Sequence, residues 1–273
     1  LLAAFIAWEL RVPNPLLDVR TFRNARFSAG STAIFIAFFA LFGFTFLVTQ
    51  YFQYVRGYST LSSGLHTLPF AVAAGITAPS AARLALRFGT KRVVAWGLLS
   101  MSIGLVIASR MTPSTNYWAV IVPSMFFLAS GLACVTSPAT EAVMGSVTRD
   151  KAGVASAVND TAREVGGTLG VAVVGSVFAS LYGPRILDNL RGLPIPAEGL
   201  DAAGGSMAAA LIVAERAPEQ GRQVVVAAAR DAFMYGWTTA CYVAAVVAVV
   251  GSALALAFLP NRAASPDTAR AAA

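Results

Sequence analysis

Residues 27–55, FSAGSTAIFIAFFALFGFTFLVTQYFQYV, contain no Asp, Glu, Lys or Arg. A helix needs roughly 17–25 predominantly apolar residues to cross the hydrocarbon core of a bilayer, and this stretch exceeds that length. Further runs without those four residue types follow at 57–82, 93–109, 111–140, 165–184 and 232–261. Six spanning helices are therefore expected. The composition agrees: 57% of the residues are hydrophobic, only 12% are charged and the mean hydropathy is +0.68, whereas soluble domains carry about 25% charged residues. The fold class implied is all-α, a polytopic transmembrane helical bundle in a cell membrane.

The flanks of the first span set the domain boundaries. Leu1 to Trp8 is an apolar stub that reads as the end of a preceding transmembrane helix (1–8). Residues 9–26 carry Pro13 and Pro15, which stop a helix, and then interleave Leu16, Leu17, Val19 and Phe22 with Asp18, Arg20, Arg23 and Arg26. Such a pattern suits a cytoplasmic interfacial connection with its apolar side toward lipid. The six-helix bundle is placed at 27–261 and a cytoplasmic tail at 262–273. The connection 183–230, with Pro184, Pro194, Pro196 and Pro218, reads as an irregular extracellular loop with short surface helices at 206–214 and 223–229.

Basic residues orient the bundle, because Lys and Arg near span ends stay on the cytoplasmic side. The clusters Arg20/Arg23/Arg26, Arg83/Arg87/Lys91/Arg92, Arg149/Lys151 and Arg262/Arg270 occupy alternate connections, and the intervening short ones hold one each, Arg56 and Arg110. The C-terminus is thus expected inside and 183–230 outside. The net charge of +7 is this topological signal and not a nucleic-acid footprint.

Several chemistries are disfavoured. Cys134 and Cys241 form no CxxC unit, and His66 is the single histidine, so no metal site and no cofactor is expected. No HExxH occurs, and an intramembrane enzyme is not the reading.

Polar groups inside the runs are the candidate functional residues. In 153–175, GVASAVNDTAREVGGTLGVAVVG, a helical wheel puts Ser156, Asn159, Asp160, Arg163, Gly166, Gly167 and Gly170 on one half and Val158, Ala162, Val165, Leu169 and Ala172 on the other. Gly166-x-x-x-Gly170 permits close backbone approach, and Arg163 is spaced to pair with Asp160 or Asn159. Asn159, Asp160, Arg163 and Glu164 are either a boundary anchor or a gate, since ionisable groups in spanning helices are costly. Glu141 ends an uncharged run just after Pro138; it either accepts a proton or pairs with Arg149 or Arg163.

Four segments together, LLDVRTFRNARFSAG (16–30), TQYFQYVRGYSTLSSGLHTLPFA (49–71), ARLALRFGTKRV (82–93) and the 153–175 stretch, resemble the C-terminal half of the fourteen-helix drug:proton antiporters of the major facilitator superfamily, the EmrB/QacA branch. The resemblance implies proton-coupled efflux of amphipathic small molecules, with the lipid bilayer and a missing amino-terminal bundle as partners. It also implies that the main coupling acid lies in that missing half, so that the fragment alone is inactive. A membrane sensor or assembly subunit on the same fold is the alternative. The family's loop motif, Gly-x-x-x-Asp-x-x-Gly-x-basic-basic, falls on Ala82, Leu86, Gly89, Lys91 and Arg92. The glycine and the basic pair of its second half are kept, while its first glycine and its acid are not. Substrate cavities in such folds lie between bundles near the midplane, which nominates Gln50, Gln53 and Tyr54, with Thr45 and Thr49 nearby, and favours Gln50.

Overall fold

All six runs are long helices in the computed structural model, which describes residues 7–12 and 19–261. The first span is α1 (Ala25–Gln50) and a π turn (Tyr51–Val55). The second is α2 (Thr60–His66) followed by α3 (Leu68–Phe88), and the third is α4 (Thr90–Ala108). A second π turn (Tyr117–Ile121) leads into α5 (Val122–Met144), the fourth span. Helix α6 (Ala152–Asn189) is the fifth; short α7 (Ala197–Gly205) and α8 (Met207–Glu215) lead to α9 (Glu219–Phe258), the sixth. Among the described residues there is no strand.

Local chemistry fixes the ends. The Asn24 side chain accepts from the Arg26 amide at 2.9 Å and starts α1, the usual role of a capping amide. Ser59 caps α2 through the Ser62 amide at 3.2 Å. Between α3 and α4 the chain reverses on one residue, Gly89, at φ +88°. A side chain there would be strained, and its Cβ would sit 2.7 Å from the Asn261 carbonyl oxygen.

Helices α1, α4, α5 and α9 pack together, α6 lies against α1 and α9, and α3 lies mainly against α5. Helix α3 is accordingly the least covered span, exposing Leu68, Val72 and Ile76. Close approach between α1 and α6 depends on Gly166 and Gly170, where any Cβ would collide with the carbonyls of Phe35 and Phe39. This is small-residue packing of the kind that lipid, lacking a hydrophobic drive between helices, favours.

The segment 183–230 differs from the expected irregular loop. Helix α6 runs on to Asn189 and α9 begins at Glu219, so at 1.5 Å per residue both are about 57–60 Å long against a hydrocarbon core of about 30 Å. Charges in these extensions ended the apolar runs without ending the helices. Arg185 Nε bonds Asp231 Oδ2 at 2.9 Å and Asn189 Nδ2 bonds the same oxygen at 2.9 Å. Leu190, Ala203, Met207, Ala210 and Val225 are buried between the extensions and the α7–α8 pair, continuous with the main core, so the cap is no separate domain. The 223–229 piece is part of α9. Residues 7–9 are helical and Val19–Arg23 forms a 3-10 turn; the expectations for 1–6, for Pro13 and Pro15, and for the tail 262–273 lie outside the described residues.

Candidate functional site

Between α1, α2, α3 and α5 the bundle keeps an open trough along α1. A cavity of about 560 Å³ lies there against the second half of the first span. Phe42, Phe44, Phe52 and Phe70 supply aromatic wall, and Thr45, Thr49 and Gln53 form a polar line along α1. In an α-helix such an i, i+4, i+8 line drifts by about 40° per step. The wider π turn at Tyr51–Val55 takes back part of that drift and keeps Gln53 on the wall; π turns recur at functional sites for such reasons. The opposite wall is Thr60, Ser63, Gly64 and Thr67 of α2 and its junction with α3.

Polar capacity in this cavity is unevenly used. The Thr45 and Thr49 hydroxyls donate to their own helix, to the Leu41 and Thr45 carbonyls, at 2.8 Å each. Ser63 Oγ is buried without a hydrogen-bond partner, and among the described residues the Gln53 amide makes no hydrogen bond. Gln50 lies off the wall: its Nε2 donates to the Phe46 carbonyl at 3.3 Å. Tyr54 is half-buried and packs against the core. The α2 wall was missed in the sequence, although the spacing of Thr60, Ser63, Gly64 and Thr67, three to four residues apart, marks one face of a helix.

At one end of the trough, His66 packs among aromatics. Its ring lies 4.3 Å from Tyr58 and 4.9 Å from Tyr117 between centroids, and the Tyr117 hydroxyl donates to its carbonyl at 2.9 Å. Arg56 beside it donates to the carbonyls of Pro113 and Thr115 at 3.0 Å, tying the two short loops together.

Toward the other end of the bundle, α6 brings its polar residues against α5 and α1. Thr140 Oγ1 donates to buried Asn159 Oδ1 at 3.2 Å, and Arg163 Nη2 donates to Thr140 Oγ1 at 3.4 Å. The guanidinium carbon lies 5.4 Å from the centroid of the Phe38 ring, and Arg163 Nε is buried without a partner. The expected pairing within the stretch is not made. Asp160 and Glu164 are exposed along the outer stripe of α6, and among the described residues Arg163 forms no ion pair. Its side chain crosses to an aromatic face and a hydroxyl instead of following its own helix. The wheel placed Asn159, Gly166, Gly167 and Gly170 on the packed side, where they are buried, but Ser156 and Asp160 are exposed. Glu141 is exposed near the end of α5 and pairs with neither Arg149 nor Arg163.

A helical half-bundle with an open trough invites comparison with known proteins. The family model described as Major Facilitator Superfamily matches residues 3–171. The chain belongs to the major facilitator superfamily. Among its relatives, the multidrug resistance protein Stp of Mycobacterium tuberculosis is 32% identical over 72% of this chain and 36% of its own length. The multidrug efflux pump LfrA of Mycolicibacterium smegmatis is 30% identical over 92% of this chain and 49% of its own length. The tetracenomycin C resistance and export protein of Streptomyces glaucescens is 30% identical over 97% and 49%. The chain thus spans about half the length, or less, of these curated relatives. In this major facilitator bundle the loop motif falls on the α3–α4 turn: Gly89 makes the reversal, Lys91 is half-exposed, Arg92 is exposed, and Leu86, at the acid's position, is 84% exposed.

Proposed function

We propose that this chain is the C-terminal bundle of a proton-coupled exporter of amphipathic small molecules, of the fourteen-helix EmrB/QacA type, in the cytoplasmic membrane. The trough along α1 is its half of the substrate cavity. The observation that carries the reading is a Phe-walled cavity holding two unspent polar groups, Gln53 and Ser63; apolar walls with a few convergent polar atoms are what ligand pockets combine. The names of the relatives, multidrug efflux and antibiotic export proteins, support that substrate class.

In mechanism, a second bundle closes the trough and the two rock about it, so that substrate and protons bias one state over the other. Glu141, Asp160 and Glu164 are exposed carboxylates of α5 and of the first half of α6, and in this reading they face the second bundle. Thr140, Asn159 and Arg163 link those helices beneath the cavity as a gate.

The test is dye efflux in energised vesicles with an imposed pH gradient, paired with equilibrium binding, in the complete transporter. Gln53→Ala and Ser63→Ala are each expected to raise the substrate KM about 2–10-fold, the worth of one hydrogen bond, while Gln50→Ala stays near the parent. Glu141→Gln is expected to weaken proton-driven export and leave binding intact. A Gln50→Ala defect with parent-like Gln53→Ala and Ser63→Ala would move the site. Binding without export by the intact protein would favour a sensor.

A further inference from the structure

A second cavity, about 340 Å³, lies between α3, α4 and α5 at the far end of the bundle from the trough. Leu84, Phe88, Trp96 and Cys134 line it, with Arg92 at its mouth and Ser100 and Ser130 inside. Both serines are engaged: Ser100 Oγ donates to the Phe127 carbonyl at 2.8 Å, and Ser130 Oγ accepts from Thr77 Oγ1 at 3.1 Å. The interior therefore offers an apolar slot about 12 Å long, from Arg92 to Ser100 along α4. Trp96 is 68% exposed on its edge, the position of an aromatic at a membrane interface.

The mouth of this slot is cationic. Arg83, Arg87, Lys91 and Arg92 crowd the α3–α4 turn, yet no Asp or Glu occurs anywhere between Arg56 and Thr140. Among the described residues none of the four forms an ion pair; Arg87 stacks on the Phe88 ring at 5.4 Å. Leu86, where the loop motif carries its acid, is turned outward. Four cations at a membrane boundary, none of them ion-paired among the described residues, above an apolar slot, suit an amphiphile with an anionic head.

We infer that the α3–α4 groove binds one anionic glycerophospholipid, its phosphate held by Arg92 and Lys91 and an acyl chain lying between Phe88 and Trp96. This site rests on the membrane-spanning fold and not on the export reading. It differs from the generic attraction of basic loops to anionic leaflets in placing one chain at one tryptophan.

The test titrates the purified protein in mixed micelles with phosphatidylglycerol or phosphatidylcholine brominated on the acyl chains. The Trp96 signal is taken as the difference between parent and Trp96→Phe fluorescence. Each cation near anionic lipid contributes enough that two of them give a preference of at least roughly tenfold. Phosphatidylglycerol is accordingly expected to quench Trp96 at a tenth of the phosphatidylcholine mole fraction, and Lys91→Gln/Arg92→Gln to erase the difference. These exposed or half-exposed residues are outside the core, and unchanged gel-filtration profiles check the fold. Equal quenching by the two lipids, or a preference that survives the double variant, overturns the inference. Displacement of the lipid by millimolar glycerol 3-phosphate alone also overturns it, because the head would then suffice without the groove.

Discussion

Arg163 stands three residues from Asp160 and next to Glu164 in sequence, and spacing alone suggests mutual neutralisation. The folded helix uses the arginine differently: Thr140 accepts from it and the Phe38 ring faces it, while both carboxylates stay outside. A desolvated cation–π contact plus a charged hydrogen bond is worth on the order of 1–3 kcal/mol. Arg163→Ala should therefore reduce the stability of detergent-purified protein by that amount, read as a lower thermal unfolding midpoint, whereas Asp160→Asn and Glu164→Gln should change the stability by less than about 0.5 kcal/mol. An equal loss in Asp160→Asn would show that the two residues do pair. Sequence revealed which residues here are polar, but not the direction of a long side chain, which depends on what neighbouring helices offer. The same limit separates Gln50 from Gln53. The two differ by three positions on a helix whose phase is shifted by a π turn, and nothing in YFQYV announces that turn.

At the scale of elements, all six spans were legible, because a continuous apolar run in lipid must satisfy its own backbone, which an α-helix does within one segment, and the apolar runs are long. Their ends were not legible where charged residues continue a helix into water, as Arg185 and Asp188 do in α6. The GxxxG of α6 was readable as a site of close approach, but its partner was not. Gly166 and Gly170 meet α1, which is separated from α6 by three intervening spans. Gly170→Val should therefore abolish folded expression, or cost at least about 1–3 kcal/mol through overpacking. Gly153→Ala, with nothing within 4 Å of the added methyl, should stabilise by about 0.5–1 kcal/mol. Fluorescence-detected gel filtration over a temperature series separates the two. A tolerated Gly170→Val would mean that α1 and α6 do not meet there.

For the whole molecule, family membership follows from the comparison, while orientation rests on charge alternation alone. Single-cysteine labelling from outside intact cells checks it, in a background lacking Cys134 and Cys241. Gly205→Cys in the α7–α8 cap should react and Thr90→Cys at the α3–α4 turn should not; the reverse pattern would invert the bundle. A broader consequence follows from the overlong helices α6 and α9, joined to each other through Arg185, Asn189 and Asp231 beyond their uncharged runs. Arg163 and Arg185 are 22 positions apart on one rod, about 33 Å. The rod is tied at both levels, to α1 at its glycines and to α9 by the exposed Arg185–Asp231 pair, so a pivot of α6 alone has to break one of these contacts. A tilt imposed at the Arg163 end would carry the cap sideways, and a load hung on the cap would return as torque at Arg163. The cap is in this sense a tiller, whose movement is coupled to the polar layer at Arg163.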